Sequence, residues 1–124
     1  MGTGVGGSRR RQRRLWQTTP DLKAPDLLVP EVCNAVWRKV RLGEMQLAQA
    51  TRVGARLMAG VVPLHPAAAL ASAALEIALA LKHPAYDCFY IALAELDASE
   101  VVTADKKLLA RVDGSSWASR VTAL

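Results

Sequence analysis

Three acidic residues of this 124-residue chain stand where a strand gives way to a helix or where a helix begins: Glu31, Asp87 and Asp105. Glu31 and Asp105 each follow a short apolar run, and Asp87 falls in the first turn of a predicted helix. In open parallel sheets the ligand crevice lies beyond the carboxyl ends of the strands. Taken singly, each acid is also explained as a helix cap or a solvated surface group.

If the three carboxylates converge, their oxygens suit a hard divalent ion such as Mg²⁺, and an open acidic cluster of this kind suits phosphodiester chemistry. The sequence contains no GxxxxGK[ST] loop, no GxGxxG, no GxSxG and no HExxH. His65 and His83 stand beside prolines in connecting segments, and we interpret both as ordinary loop histidines rather than as bases or ligands.

Strands alternating with helices are predicted to position these acids. The predicted strands span residues 27–29, 61–64, 100–103 and 120–124, and the predicted helices span 31–42, 44–58, 67–82, 85–96 and 105–112. Pro63 confines the second strand to a sheet edge. Connections of a dozen or more residues between strands predict a parallel sheet between helices, which is an α/β fold.

Composition predicts one compact domain, since 52% of the residues are hydrophobic and 22% are charged. The net charge of +5 comes from the N-terminal segment. Residues 1–19 hold five arginines and no acid, which leaves 11 basic and 11 acidic residues in 20–124. We predict a disordered basic arm over 1–19 and a domain over 20–124.

Two isolated cysteines, Cys33 and Cys88, predict reduced thiols in a reducing cytoplasm. The arginine run is not followed by the apolar segment of a signal peptide. No stretch approaches the roughly 18 apolar residues of a membrane span. The sequence therefore predicts a cytoplasmic protein with no membrane contact.

Three motifs closely resemble the PIN-domain ribonucleases of the VapC toxin type: PEVCNAVWR at 30–38, AYDCFYIALAE at 85–95 and VVTADKKL at 101–108. The similarity extends from about Pro25 to the C-terminus, with 56 residues from Glu31 to Asp87 and 18 from Asp87 to Asp105. This resemblance implies a three-layer α/β/α PIN-like domain with a short, mainly parallel sheet.

The resemblance also implies a Mg²⁺- or Mn²⁺-dependent endoribonuclease that forms a homodimer and is inhibited by a small antitoxin whose tail enters the acidic groove. Glu31, Asp87 and Asp105 would be its catalytic and metal-binding acids, with Thr103 as a supporting polar group. Six basic residues either hold the RNA backbone or form a solvated face: Arg38, Lys39, Arg41, Lys106, Lys107 and Arg111.

The sequence departs from the family pattern upstream of Glu31. In the family an apolar central strand ending in Asp precedes the motif glutamate, and residues 1–19 contain no acid and no strand pattern. Asp26 is not a substitute, because it precedes its predicted strand and lies roughly 10 Å from the strand's other end. We expect that the central strand and its Asp are missing, that the chain start is misassigned or frameshifted, and that this chain is weakly active or inactive.

Two other functions remain open from the sequence. One is a non-catalytic PIN remnant that binds antitoxin or a sister subunit through its helices. The other is nucleic-acid binding through the basic arm, whose signature is RNA affinity that falls steeply with salt and depends on residues 1–19.

Overall fold

The computed structural model, which describes residues 22–60 and 62–124, is a mostly helical α/β structure with short parallel strands. Its strands are β1 (Ala24–Pro25), β2 (Leu64–His65), β3 (Val101–Thr103) and β4 (Val121–Ala123). Its α-helices are α1 (Leu28–Arg41), α2 (Leu47–Met58), α3 (Ala71–Leu81), α4 (Ala85–Asp97) and α5 (Lys106–Val112), with 3₁₀ turns at Ala67–Leu70 and Ala118–Arg120. The predicted α/β fold class, consistent with a PIN-like α/β/α domain, is confirmed.

The strands form two parallel pairs. β1 pairs with β2 in the register Ala24 to Leu64, and β3 pairs with β4 in the register Val101 to Val121. Within the described ranges no strand joins the two pairs into one sheet. The predicted arm over 1–19 lies outside the described residues.

The predicted strand at 27–29 is wrong, because this run forms the approach to α1 and its first turn. Pro30 and Glu31 lie in that first turn. Proline is tolerated there, because the N–H that it lacks would have no partner in the helix. A short apolar run that ends at a proline is therefore compatible with either a strand or a helix start.

This shift reverses the placement of Asp26, which directly follows β1 instead of preceding a strand. Its Oδ1 accepts a hydrogen bond of 2.9 Å from the backbone N–H of Ala67, 41 residues away in sequence. The carboxylate thus holds the start of a 3₁₀ turn against the end of β1.

Several other boundaries shift by a few residues for local reasons. α2 begins at Leu47 because Gln46 and Gln49 form a reciprocal capping box. α1 and α2 are each followed by a glycine with a positive φ, 76° at Gly43 and 71° at Gly60, a conformation that glycine adopts without strain. Of the described residues in the predicted strand at 61–64, only Leu64 lies in the observed strand, Leu64–His65.

The hydrophobic core lies mainly between α3 and α4. Ile77 of α3 packs in one cluster with Cys88, Ile91 and Leu93 of α4, all at most 2% exposed, and with residues of β3, β4 and α5. In contrast, α1 and α2 contain no buried residue. The apolar side chains on the facing sides of these two helices are therefore only partly buried.

No helix in the described residues has the length and apolar character needed to cross a membrane. Both cysteines are free, with Cys33 exposed and Cys88 buried. Burial, and secondarily the charge of Asp87, raises the pKa of the Cys88 thiol to about 11, so it stays protonated at neutral pH.

Candidate functional site

One group of ligand-bearing side chains lies at the start of α4 and α5. A ring nitrogen of His83 and carboxylate oxygens of Asp87 and Asp105 all lie within 4.8 Å of one another. Asp87 is in the first turn of α4, and Asp105 caps α5 directly after β3. Two of the three predicted acids thus meet, joined by a histidine that the sequence interpretation had set aside.

His83 is brought into the group by the turn between α3 and α4. Lys82 adopts a left-handed conformation with φ of 53° and ends α3, and the His83 backbone N–H bonds the carbonyl of Ala78 at 3.2 Å. The His83 Nε2 atom then lies 2.7 Å from Asp87 Oδ2. The His83 side chain is 6% exposed and that of Asp87 is 40% exposed. Solvent can therefore reach the carboxylate of Asp87, while the histidine ring is buried behind it.

The interpretation of His83 as an ordinary loop histidine did not include its contact with Asp87. The four-residue spacing between His83 and Asp87 was the available signal, because residues four apart near a helix start can reach one another. His65, in contrast, lies in β2 and is not part of the group.

Asp105 is positioned by its own turn. Its backbone N–H donates to Thr103 Oγ1 at 3.0 Å. Asp105 Oδ1 accepts from the backbone N–H groups of Lys107 (2.9 Å) and Leu108 (3.3 Å). The cap uses Oδ1, and among the described residues the second oxygen of Asp105 has no hydrogen-bond partner.

The substitutions Asp105→Asn and Asp105→Ala are expected to distinguish the helix-capping role of Asp105 from its ability to bind an ion. Asn caps helices about as well as Asp, whereas Ala at an N-cap costs about 0.5–2 kcal/mol of unfolding free energy. Both variants lose a carboxylate that could bind an ion. We therefore expect weaker divalent-ion binding in both, measured by calorimetry, with the larger stability loss in Asp105→Ala, measured by urea unfolding.

The matched control is Asp113→Ala at the opposite end of α5, which we expect to change stability by no more than about 0.5 kcal/mol. Equal destabilisation by Asn and Ala at position 105 would contradict the capping role.

Glu31 is linked to this group through Tyr90. The Tyr90 hydroxyl donates to Glu31 Oε1 at 2.7 Å and thereby ties α1 to α4 across 59 residues of sequence. Tyr90 lines a shallow pocket of about 170 Å³ together with Asp87 and Thr103. Burial, the hydrogen bond to Glu31 and the negative charges of Glu31 and Asp87 all raise the pKa of Tyr90. Glu31 is not a member of the three-residue group.

Tyr90→Phe is expected to lower the free energy of unfolding by about 1–2 kcal/mol, since it leaves a half-buried carboxylate oxygen without its donor. The wild-type protein should also lose stability as pH rises above the ordinary tyrosine pKa of 10.0, because the unfolded chain loses the phenol proton first. Urea unfolding at several pH values should show a smaller alkaline loss in Tyr90→Phe.

Tyr86→Phe is the control for this prediction, because Tyr86 lies one turn earlier on α4 and is 68% exposed. We expect it to keep wild-type stability at each pH. An unchanged alkaline loss in Tyr90→Phe would contradict the assignment of the raised pKa to Tyr90.

The six predicted RNA-contacting side chains are all exposed but fall in two places. Lys106 and Lys107 lie in the first turn of α5, next to Asp105, and Arg111 lies in its last turn. The three at the end of α1 lie roughly 10–15 Å along the helix from Glu31: Arg38, Lys39 and Arg41. Of these, Lys39 is 3.8 Å from Glu44, and the Arg41 guanidinium lies 5.3 Å above the Trp37 ring.

The donor chemistry of the group fits a divalent cation. Two carboxylates and an imidazole are common ligands of divalent ions, and Asp87 is open enough to admit solvent and substrate alongside an ion. The backbone bonds to Asp105 fix one carboxylate, and His83 fixes the other, which limits the rearrangement that binding requires.

A family model described as PIN domain matches residues 7–115 of the chain. The match includes the three-residue group, Glu31 and Tyr90, and it extends into the segment predicted as a basic arm. No curated protein matches the chain.

Proposed function

The chain belongs to the PIN-domain family, and from this premise we propose that it is a metal-dependent endoribonuclease, the toxin of a VapC-like toxin–antitoxin pair. PIN domains are generally metal-dependent nucleases. The observation that carries the proposal is the meeting of Asp87, Asp105 and His83 at one open site, where strand β3 ends and helices α4 and α5 begin.

Five residues have roles in this proposal. Asp87 and Asp105 would hold Mg²⁺ or Mn²⁺, which would activate a water and neutralise charge on the scissile phosphate. Thr103 holds the turn that presents Asp105. Glu31 is the third predicted acid, and Tyr90 orients it through the 2.7 Å hydrogen bond.

Charge near the site favours a polyanionic substrate. Lys106 and Lys107 are exposed immediately after Asp105, where they can contact the phosphates that flank the cleaved bond. We expect low turnover, because the acid that precedes Glu31 in the family pattern has no counterpart in residues 1–19.

The partly exposed apolar faces of α1 and α2 support the proposal that the chain binds protein partners. Trp37 and Leu47 are 56% and 74% exposed, and the groove between the helices is lined almost wholly by apolar side chains. We propose a cytoplasmic homodimer that a small antitoxin inhibits by inserting its tail into the acidic groove. The same faces favour the second candidate function, a non-catalytic remnant that binds antitoxin or a sister subunit.

An assay for cleavage of a labelled single-stranded RNA by the purified full chain distinguishes the proposed nuclease from the non-catalytic remnant. We expect slow internal cleavage that requires Mg²⁺ or Mn²⁺, stops with EDTA, and leaves single-stranded DNA of the same sequence intact. Sedimentation of the same sample should show a dimer. Absence of any metal-dependent cleavage, with a dimer present, would contradict the nuclease proposal and favour the remnant.

A further inference from the structure

We infer that the His83 imidazole is itself a metal ligand, and that the site therefore prefers a first-row ion that binds nitrogen well, such as Co²⁺ or Zn²⁺, over Mg²⁺. This inference rests on the metal site of the proposed function. It differs from the acid-only site that the sequence motifs predicted, because it adds a nitrogen donor to Asp87 and Asp105.

The placement of the ring is the first support. His83 is only 6% exposed, yet its Nε2 atom is directed at Asp87 Oδ2, 2.7 Å away, and not into the core. A separation near 3 Å is what two neighbouring ligands of one ion require when each lies about 2.1 Å from it. The ring therefore needs little movement to share an ion with Asp87.

The position of the ring proton sets what ion binding requires. In the described part of the chain, Nδ1 of His83 has no hydrogen-bond partner and Nε2 lies 2.7 Å from Asp87 Oδ2, so the metal-free ring donates its Nε2 proton to this carboxylate. To ligate through Nε2, the ring must carry its proton on Nδ1 instead, which exchanges the hydrogen bond to Asp87 for a bond to the ion. If the proton stays on Nε2, the ring only orients Asp87.

The metal preference follows from ligand chemistry. Sites made only of carboxylate and water suit Mg²⁺, whereas imidazole suits the later first-row ions. Replacing one oxygen donor by the His83 nitrogen shifts the preference toward Co²⁺ and Zn²⁺. The exposed sides of Asp87 and Asp105 leave positions for water and for phosphate oxygens.

Co²⁺ binding to the untagged full chain tests this inference without reference to activity. Co²⁺ shifts the proton resonances of a coordinated imidazole far outside the normal NMR range, and calorimetry gives affinities for Co²⁺ and Mg²⁺. The test variant is His83→Gln, whose amide can still donate to Asp87 but is a poor ligand. The matched control is His65→Gln, and circular dichroism verifies that both variants fold.

We expect one set of shifted imidazole signals in the wild type and in His65→Gln, and none in His83→Gln. Co²⁺ affinity in His83→Gln should fall at least about tenfold, while Mg²⁺ affinity should change less. Co²⁺ binding without shifted imidazole signals, and with equal affinity in His83→Gln, would overturn the role of His83 as a ligand and leave the proposed metal site standing. Co²⁺ binding unchanged in Asp87→Asn/Asp105→Asn would overturn both.

Discussion

Asp87→Asn is expected to reduce metal-dependent RNA cleavage to less than about one hundredth of the wild-type rate. Loss of even an outer partner of a metal ligand costs about 10- to 100-fold in affinity or activity, and Asp87 is proposed to contact the ion directly. Asn has the same shape as Asp and can still accept a hydrogen bond from His83. The change therefore removes the negative charge and leaves the packing of α4 intact.

The measurement compares initial rates on one RNA at saturating Mg²⁺ or Mn²⁺, together with urea unfolding of each protein. The matched control is Asp97→Asn at the opposite end of the same helix, where the acid lies 3.5 Å from Lys23. A partly exposed ion pair of this kind contributes at most about 1 kcal/mol, so this variant should keep both activity and stability. Retained cleavage in Asp87→Asn would remove Asp87 from the site.

The positions of Asp87 and Asp105 could be predicted because each depends on local rules. An acid directly after β3 was expected to begin a helix, and Asp105 is the N-cap of α5. Asp87 was expected in the first turn after Pro84, and it lies there. Asp105 follows strand β3 whereas Asp87 follows the turn between α3 and α4, so the packing of α4 against β3 is what brings these residues, 18 apart in sequence, to one site.

The contact of Glu31 could not be predicted, because it depends on how separate elements approach one another, and for His83 the four-residue spacing to Asp87 was the only signal. The bond from Tyr90 to Glu31 requires α1 to lie against α4, and no sequence spacing specifies that approach. The turn at Lys82 requires a left-handed backbone at a residue other than glycine, which sequence patterns rarely indicate. The orientation of the His83 ring follows from that turn.

The first strand was predicted at the wrong residues for a similar reason, because its position also depends on contacts between separate segments. The segment at 27–29 is too short for its periodicity to distinguish a strand from the start of a helix. The tertiary pairing of Ala24–Pro25 with Leu64–His65 decides which residues form β1. Such pairing across about 40 residues depends on tertiary packing, whereas the amphipathic stretches of α1 and α2 are visible in the sequence.

Ile91→Ala is expected to cost about 2–5 kcal/mol of unfolding free energy, the usual range for truncating a buried large aliphatic side chain to alanine. Ile91 is 0% exposed and lies one turn after Asp87 on α4, within the cluster that α3 and α4 share. Because α1 and α2 add no buried residues, a large part of the described core depends on this contact. Urea unfolding of the full chain measures the loss as a lower midpoint at an unchanged slope.

The control for Ile91→Ala is Leu79→Ala, because Leu79 lies on the neighbouring helix α3 but is 71% exposed. We expect that variant to change stability by no more than about 0.5 kcal/mol. A loss below about 1 kcal/mol in Ile91→Ala would mean that α4 is not anchored between α3 and the strands. In that case the rigid start of α4, which places His83 and Asp87 beside Asp105, would have no support from the core, and the metal site would have to assemble on binding its ion.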